Sequence, residues 1–294
     1  MFNYAQASVN IIQQTIINSS RRDFRNRCIF NLMFFYSDKL PIKSAEYVFV
    51  LLCFLACLNC RNSREVNPQL NDEMPNKILW AWERAEDLRF IDTEKIGVAF
   101  LAQTLFLQTD EVIFRPRRQP LKVAPETYLI AVTRIETAKE NNNRPNLSDE
   151  QKKKVVIFIK KTLELPNVKA AQIDFDVVVS ERNFYRFLVN DLKKELPANT
   201  SLTITALASW CVGDVWFNDF PIDEAVPMAF QMGADTAQIH AFLRDGKDWR
   251  EPLCRGSYGV SLDENFPAKF QPNRRFYYFK SKAWEKSDLD RINH

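Results

Sequence analysis

Ala170-Ala171-Gln172-Ile173-Asp174-Phe175-Asp176 reads as a strand whose two faces disagree. Side chains alternate with period two, so Ala171, Ile173 and Phe175 point one way while Gln172, Asp174 and Asp176 point the other. The apolar face suits packing against helices. The opposite face carries two carboxylates and an amide where most folds carry more core. Charged groups are seldom buried unless they are paired or at work. This strand is therefore expected to lie under helices on one side and to present a site on the other.

Outward from it, strand-like and helix-like segments alternate. Ile78–Trp82, Gly97–Ala102 and Tyr128–Val132 read as the first three strands, with a hairpin excursion over Glu111–Arg118 marked by Pro116 and Pro120. Ser148-Asp149-Glu150-Gln151 supplies an N-cap and an acidic first turn for a helix running to about Leu163. After the acidic strand, a helix is expected from about Ser180 to Leu196, before Pro197. Leu202–Ala208 and Glu224–Phe230 read as strands five and six, Thr236–Arg244 as a helix, and Arg275–Phe279 as the last strand before a short helix. Eight strands mostly alternating with helices predict an α/β protein, a (β/α)8 TIM-barrel-like domain over residues 77–294. A doubly wound open sheet is the rival arrangement.

Composition narrows the function. The 294 residues are 46% hydrophobic and 26% charged, with a net charge of +3, and Lys and Arg are mixed among acidic residues. A nucleic-acid partner is not expected from so small and scattered a positive charge. None of the six glycines forms a G-x-G-x-x-G fingerprint or a P-loop, so no nucleotide is expected. Only His240 and His294 could act as histidine ligands or bases, so no metal is expected. His240 lies in a segment with helical spacing and reads as a helix residue. No cofactor is expected.

Tyr47–Cys60 is the only long apolar run, about a dozen residues against the roughly 20 that span a bilayer. Lys39 and Lys43 precede it and Arg61 follows, the pattern of a secretory signal. Leu55-Ala56-Cys57 resembles the lipobox of bacterial lipoproteins, with Cys57 as the lipid-bearing residue and Cys60 as a competitor. A cleaved signal and an uncleaved anchor are the other readings. Residues 1–60 are thus expected to be an N-terminal extension plus signal or lipoprotein segment, with 1–32 an over-extended reading frame before Met33, and 61–76 a polar linker. An exported, membrane-anchored protein of the bacterial cell envelope follows. In that setting Cys211 and Cys254 are an even pair suited to a disulfide, the alternative being two buried free thiols.

Barrel enzymes gather reactive groups at the carboxyl ends of their strands. Trp80, Trp82, Glu83, Gln103, Arg134, Glu136, Asp174, Asp176, Ser209, Trp210, Met228, Arg255 and Tyr278 or Lys280 fall there. Carboxylates, arginines and aromatic faces together suit a carbohydrate. Asp176 is the candidate general acid, and Asp174 would orient it or stabilise developing charge. The competing reading holds both aspartates in ion pairs with Arg134 or Arg255. Ser209 has no clear base.

Trp80-Ala81-Trp82-Glu83-Arg84, Phe100–Thr104, Gln172–Asp176, Thr205–Cys211, Glu224–Met228 and Glu251–Gly256 resemble a bacterial family of exported proteins classed as a domain of unknown function, over roughly residues 77–290. That resemblance implies no established activity. A more distant one is to the chitinase-type glycoside hydrolases, in which strand four carries acidic residues spaced by two and ending in the acid glutamate, and strand six a Met before an aromatic residue. It implies a glycoside hydrolase-like barrel. Here Asp176 stands where the glutamate belongs. If Asp174 and Asp176 instead match the two aspartates, the acid position falls on Val178. A non-catalytic envelope lipoprotein binding glycan or a protein partner is the alternative.

Overall fold

Parallel strands with one apolar face can bury it only under another layer, and eight of them here curl until the sheet meets itself. The computed structural model describes residues 73–292 apart from Val215, Phe266 and Pro267. The expected signal segment, Cys57 and the linker up to residue 72 lie outside the described residues. The strands are β1 (Lys77–Ala81), β2 (Glu86–Asp87), β3 (Ile96–Gln108), β4 (Glu111–Pro116), β5 (Leu121–Lys122), β6 (Leu129–Thr137), β7 (Val168–Asp174), β8 (Ser201–Leu207), β9 (Glu224–Met228), β10 (Ser257–Ser261) and β11 (Arg275–Phe279). β1, β3, β6, β7, β8, β9, β10 and β11 pair in parallel in that order, and β11 returns to β1. The protein is a closed eight-stranded parallel α/β barrel of the TIM type.

The helices are α1 (Asp149–Thr162), α2 (Arg182–Glu195), α3 (Ala208–Val212) and α4 (Thr236–Arg244). Ser148 starts α1 as a capping box: its hydroxyl accepts from the Gln151 backbone N–H while the Gln151 side chain accepts from the Ser148 N–H. Asp149 and Glu150 in the first turn and Lys160 and Lys161 in the last match the helix dipole. α2 turns Phe184, Tyr185, Leu188, Val189 and Leu192 to the sheet. They meet Ala171, Ile173 and Phe175, the apolar face of the acidic strand, in one buried cluster.

No α-helix lies between β1 and β3, between β3 and β6, or, among the described residues, between β10 and β11. The β4 hairpin, antiparallel to the far half of β3, takes the second of these places. Leu88, Ile91, Trp284 and Ile292 cover the neighbouring flank of the barrel instead of helices. Each such side chain contributes about 1.5–3 kcal/mol when fully buried. Among the described residues no helix is long and apolar enough to cross a membrane.

Inside the barrel, the amino-terminal end is shut. Arg275 pairs with Glu224 at 2.8 Å and donates to the carbonyls of Met74 and Pro75, while the Tyr277 hydroxyl also donates to Glu224. Gly256 leaves room for this cluster: a Cβ there would stand 3.0 Å from the Glu224 Oε1 and would press on that carboxylate. Above it, the indole N–H of Trp80 donates to Gln172, whose amide donates to Thr203.

Candidate active site

The inward alternation of β7 carries Gln172 into the barrel and lifts Asp174 to its carboxyl end. Asp176 follows just past the strand. Both aspartates line a pocket of about 550 Å³ at that end. Asp174 is buried with both oxygens engaged: Arg134 donates to Oδ2 at 2.9 Å and the Thr205 hydroxyl to Oδ1 at 2.8 Å. Burial pushes its carboxyl up, against the opposing pull of Arg134 and Thr205.

Asp176 differs. It is exposed at the pocket, and among the described residues no side chain donates to it. Desolvation first, and then the charge of Asp174, push its carboxyl up to about 6, with Arg134 and Lys139 opposing. Two neighbouring carboxyls therefore sit in unlike surroundings: one clamped in an ion pair, the other open and able to carry a proton near neutrality.

An aromatic run faces them. Trp82 stacks on Trp80 with ring centroids 5.3 Å apart, Trp80 meets Phe279 at 4.3 Å, and Phe279 meets Phe230 at 4.3 Å. Trp80 is nearly buried and forms the floor, whereas Trp82 is only half-buried and offers a surface. The Arg134 guanidinium lies over the Trp82 ring at 5.4 Å. Trp82 also depends on a residue of the hairpin. Arg117, just past β4, donates to the carbonyls of Ala81, Trp82 and Arg84 and so holds the turn that follows β1.

Trp80, Trp82, Arg134, Asp174, Asp176, Ser209, Met228 and Lys280 thus line the pocket as their positions at strand ends suggested. Six expected site residues stand elsewhere. Glu83 is exposed and accepts from the backbone N–H groups of Arg118 and Gln119. Gln103 donates to Thr133 and to the Phe158 carbonyl on α1, because a register shift between Leu101 and Gln103 turns the far half of β3 toward the helix layer. Glu136 lies beyond the pocket and braces Arg134 at 2.8 Å. Trp210 is buried on α3 against Trp216 and Phe217. Arg255 donates to the Trp249 carbonyl and touches neither aspartate, so the clamp on Asp174 is Arg134 alone of the two arginines proposed. Tyr278 packs in the outer layer.

Cys211 and Cys254 are joined by a disulfide with Cα atoms 6.0 Å apart, tying α3, whose Ala208 and Ser209 line the pocket, to the turn before β10. His240 lies on α4, away from the pocket lining. Among the described residues no group of three or more His, Cys, Asp or Glu side chains is placed to hold a metal.

Sequence reading missed Arg84, Phe230, Asp235, Asp263 and Phe279 in the pocket. Phe230 two residues past Met228 and Phe279 at the last strand end follow the same alternation that exposed Asp174. Asp235 and Asp263 sit in loops, where no periodicity points to them.

No protein-family model matches the sequence, and no curated protein matches it. Among solved structures, the chain overlaps the Bacillus cereus spore cortex-lytic enzyme SleL at 15% identity with a TM-score of 0.40, covering 66% of this chain and 54% of that one. The match therefore spans about half of SleL. It overlaps the chitinase domain of the Clostridium difficile spore coat protein CotE at 8% identity and a TM-score of 0.39, covering 72% of this chain and 67% of that one. At this degree of overlap nothing about activity passes from either protein to this chain.

Proposed function

We propose that the protein is a glycoside hydrolase-like barrel that binds a carbohydrate in the rim pocket and cleaves it with Asp176 as general acid. The observation that carries this reading is the divided pair: Asp176 open to the pocket with its carboxyl raised to about 6, beside Asp174 locked to Arg134, opposite the Trp80–Trp82 stack. Aromatic faces suit the apolar faces of sugar rings, and the two carboxyl groups divide labour. Asp176 gives its proton to the glycosidic oxygen as the bond to the anomeric carbon breaks. Asp174, held by Arg134, stabilises the positive charge that develops there. A water then adds to the anomeric carbon and returns a proton to Asp176.

A glycan-hydrolysis screen tests this. On any glycan turned over, Asp176→Asn is expected to lower kcat/KM by about 10²–10⁴-fold, and wild-type kcat/KM to decline as pH rises past about 6. Unchanged turnover in the variant would end the assignment. A second reading, a glycan-binding protein without catalysis, draws on a specific observation. Both Asp174 oxygens are already engaged and the next residue of that spacing is the exposed Val178, so the strand offers one free carboxyl rather than two. Binding of a glycan without any product would favour it.

We propose further that the chain is exported and tethered to the envelope through Cys57. The Tyr47–Cys60 run supports this, and so does the Cys211–Cys254 disulfide, a bond of oxidising compartments. The intact mass of the native protein tests it: a lipid-bearing cysteine as first residue is expected, and a mass that includes residues 1–32 would overturn it.

A further inference from the structure

The outer flank built from β4, α1 and α2 mixes open apolar side chains with unpaired cations. On α1 the exposed positions Lys153, Lys154, Ile157 and Lys161 recur at helical spacing and form one outward stripe, opposite the buried Val155, Val156 and Ile159. The carboxylates of this segment stand at its ends, Asp149 and Glu150 in the first turn and Glu164 just past the last, so the middle of the stripe carries cations alone. The other cations of the two helices are engaged. Lys152 pairs with Asp149 and Asp191, Lys160 with Glu195 and Lys194 with Asp191, while Arg182, Arg186 and Lys193 turn to Asp214, Asp219 and Asp223. Lys153, Lys154 and Lys161 form no ion pair among the described residues. Over residues 73–292 Lys and Arg equal Asp and Glu in number, so no general positive field accounts for what this flank attracts.

Apolar side chains are set among these lysines. Ile157 is 53% exposed, and Phe187, on the outward side of α2, is 57% exposed with the Lys152 ammonium 5.4 Å from its ring centre. Phe114 of β4, 44% exposed, stacks on Phe158 of α1 at 4.9 Å, and the Lys161 ammonium reaches over the same Phe158 ring. Three of the large apolar side chains most open to water therefore stand on adjoining elements.

We infer that this flank rests on a lipid bilayer bearing anionic headgroups. The long stems of Lys153, Lys154 and Lys161 let their ammonium groups meet headgroup phosphates, while Phe114, Ile157 and Phe187 lie deeper, at the boundary with the acyl chains. A bilayer suits this face better than a protein partner does. Three apolar side chains on the outside of a barrel fall short of the roughly 800 Å² per partner that a stable protein interface covers, whereas attraction to a charged bilayer accumulates one side chain at a time. The inference stands on the flank alone and needs neither the carbohydrate reading nor the Cys57 tether, although a tether would raise the effective concentration of the bilayer. α1 and α2 belong to the outer layer and not to the rim, so the pocket at the carboxyl ends of the strands stays open while the flank is seated.

The experiment is flotation of the full chain with two kinds of vesicle, phosphatidylcholine alone and phosphatidylcholine mixed with phosphatidylglycerol. A lysine near an anionic surface adds about fivefold to binding, so the mixed vesicles are expected to bind roughly ten- to a hundredfold more tightly, a preference that shrinks as salt is added. Lys153→Glu, Lys154→Glu and Lys161→Glu together should abolish that preference. Ile157→Ser with Phe187→Ser should weaken binding to the mixed vesicles about tenfold. Lys122→Glu, Lys282→Glu and Lys286→Glu, an equal change of charge at exposed positions outside the flank, should leave the preference nearly intact. An equal loss in this control overturns the inference, since attraction would then come from overall charge. Equal binding to both kinds of vesicle, whether strong or absent, also overturns it. So does self-association of the wild type that the serine variant abolishes in place of vesicle binding, because the flank would then seat a second copy. Amide hydrogen exchange of the wild type gives a reading free of any substitution: exchange in α1 and α2 should slow on the mixed vesicles alone, and unchanged exchange there overturns the inference.

Discussion

Each end of the barrel holds an arginine–carboxylate pair on inward strand positions, and the surroundings give the two pairs opposite roles. At the closed end Arg275 and Glu224 are almost wholly buried, at 2% and 3% side-chain exposure, and the remaining donors of the arginine go to Met74 and Pro75 carbonyls. At the open end Arg134 is 31% exposed while Asp174 is 2% exposed, and the arginine lies against Trp82 with the unpaired Asp176 beside it. The difference teaches that residue type does not separate architecture from site here. What separates them is whether the pair is shut away from water or borders a pocket with a second carboxyl exposed beside it.

The closed end should break first. Arg275→Met leaves Glu224 a buried carboxylate with no cation and only the Tyr277 hydroxyl donating to it, and urea unfolding should show a loss of about 3–5 kcal/mol. A loss below about 1 kcal/mol would erase the contrast between the ends. Arg134→Met should cost less, about 1–3 kcal/mol, because each carboxylate keeps one hydroxyl donor but only Asp174 borders a pocket that admits water. Equal losses in the two variants would mean that both pairs are architecture.

The smallest effect is a pH dependence that sharpens the comparison. The Asp176 carboxyl is raised from 3.8 to about 6 in the folded protein, so between those values the folded state holds more proton than the unfolded chain. Its contribution to stability is therefore full below about pH 4 and is lost as pH rises through about 6. Solvent at the pocket mouth screens the effect to less than about 1 kcal/mol. Urea midpoints of wild type and Asp176→Asn should lie together near pH 4, where the protonated carboxyl resembles the amide, and separate as pH rises through about 6 with wild type the lower; parallel curves would show that Asp176 is not held in a perturbed state.

Much of the barrel was legible because strand alternation is a local signal. Ala171, Ile173 and Phe175 meet the helix layer, and Gln172 and Asp174 turn inward, as the period-two pattern requires. The capping box at Ser148 and the last strand at Arg275–Phe279 were equally plain. β10, Ser257–Ser261, carries small residues and little β pattern, so it had no local signature. Gln103 was misplaced for a geometric reason: Ala99 faces the barrel interior, but beyond the shift at Leu101 the odd-numbered Leu105 and Leu107 join the outer cluster. Trp210 was misplaced because the chain leaves β8 at Leu207 and turns at once into α3, which rotates the indole away from the rim. Asp235 and Asp263 reach the pocket only through tertiary closure of loops.

The grip of Arg117 on the turn after β1 extends the pocket's dependence well past its walls. A residue 35 positions from Trp82, on a hairpin that stands in place of a barrel helix, sets where the outermost aromatic ring can lie. Changes in ligand preference, whether arising by natural drift or sought by directed evolution, can therefore originate in the β4 hairpin without any substitution at the rim. A mutant library confined to pocket-lining positions would leave that route unsampled.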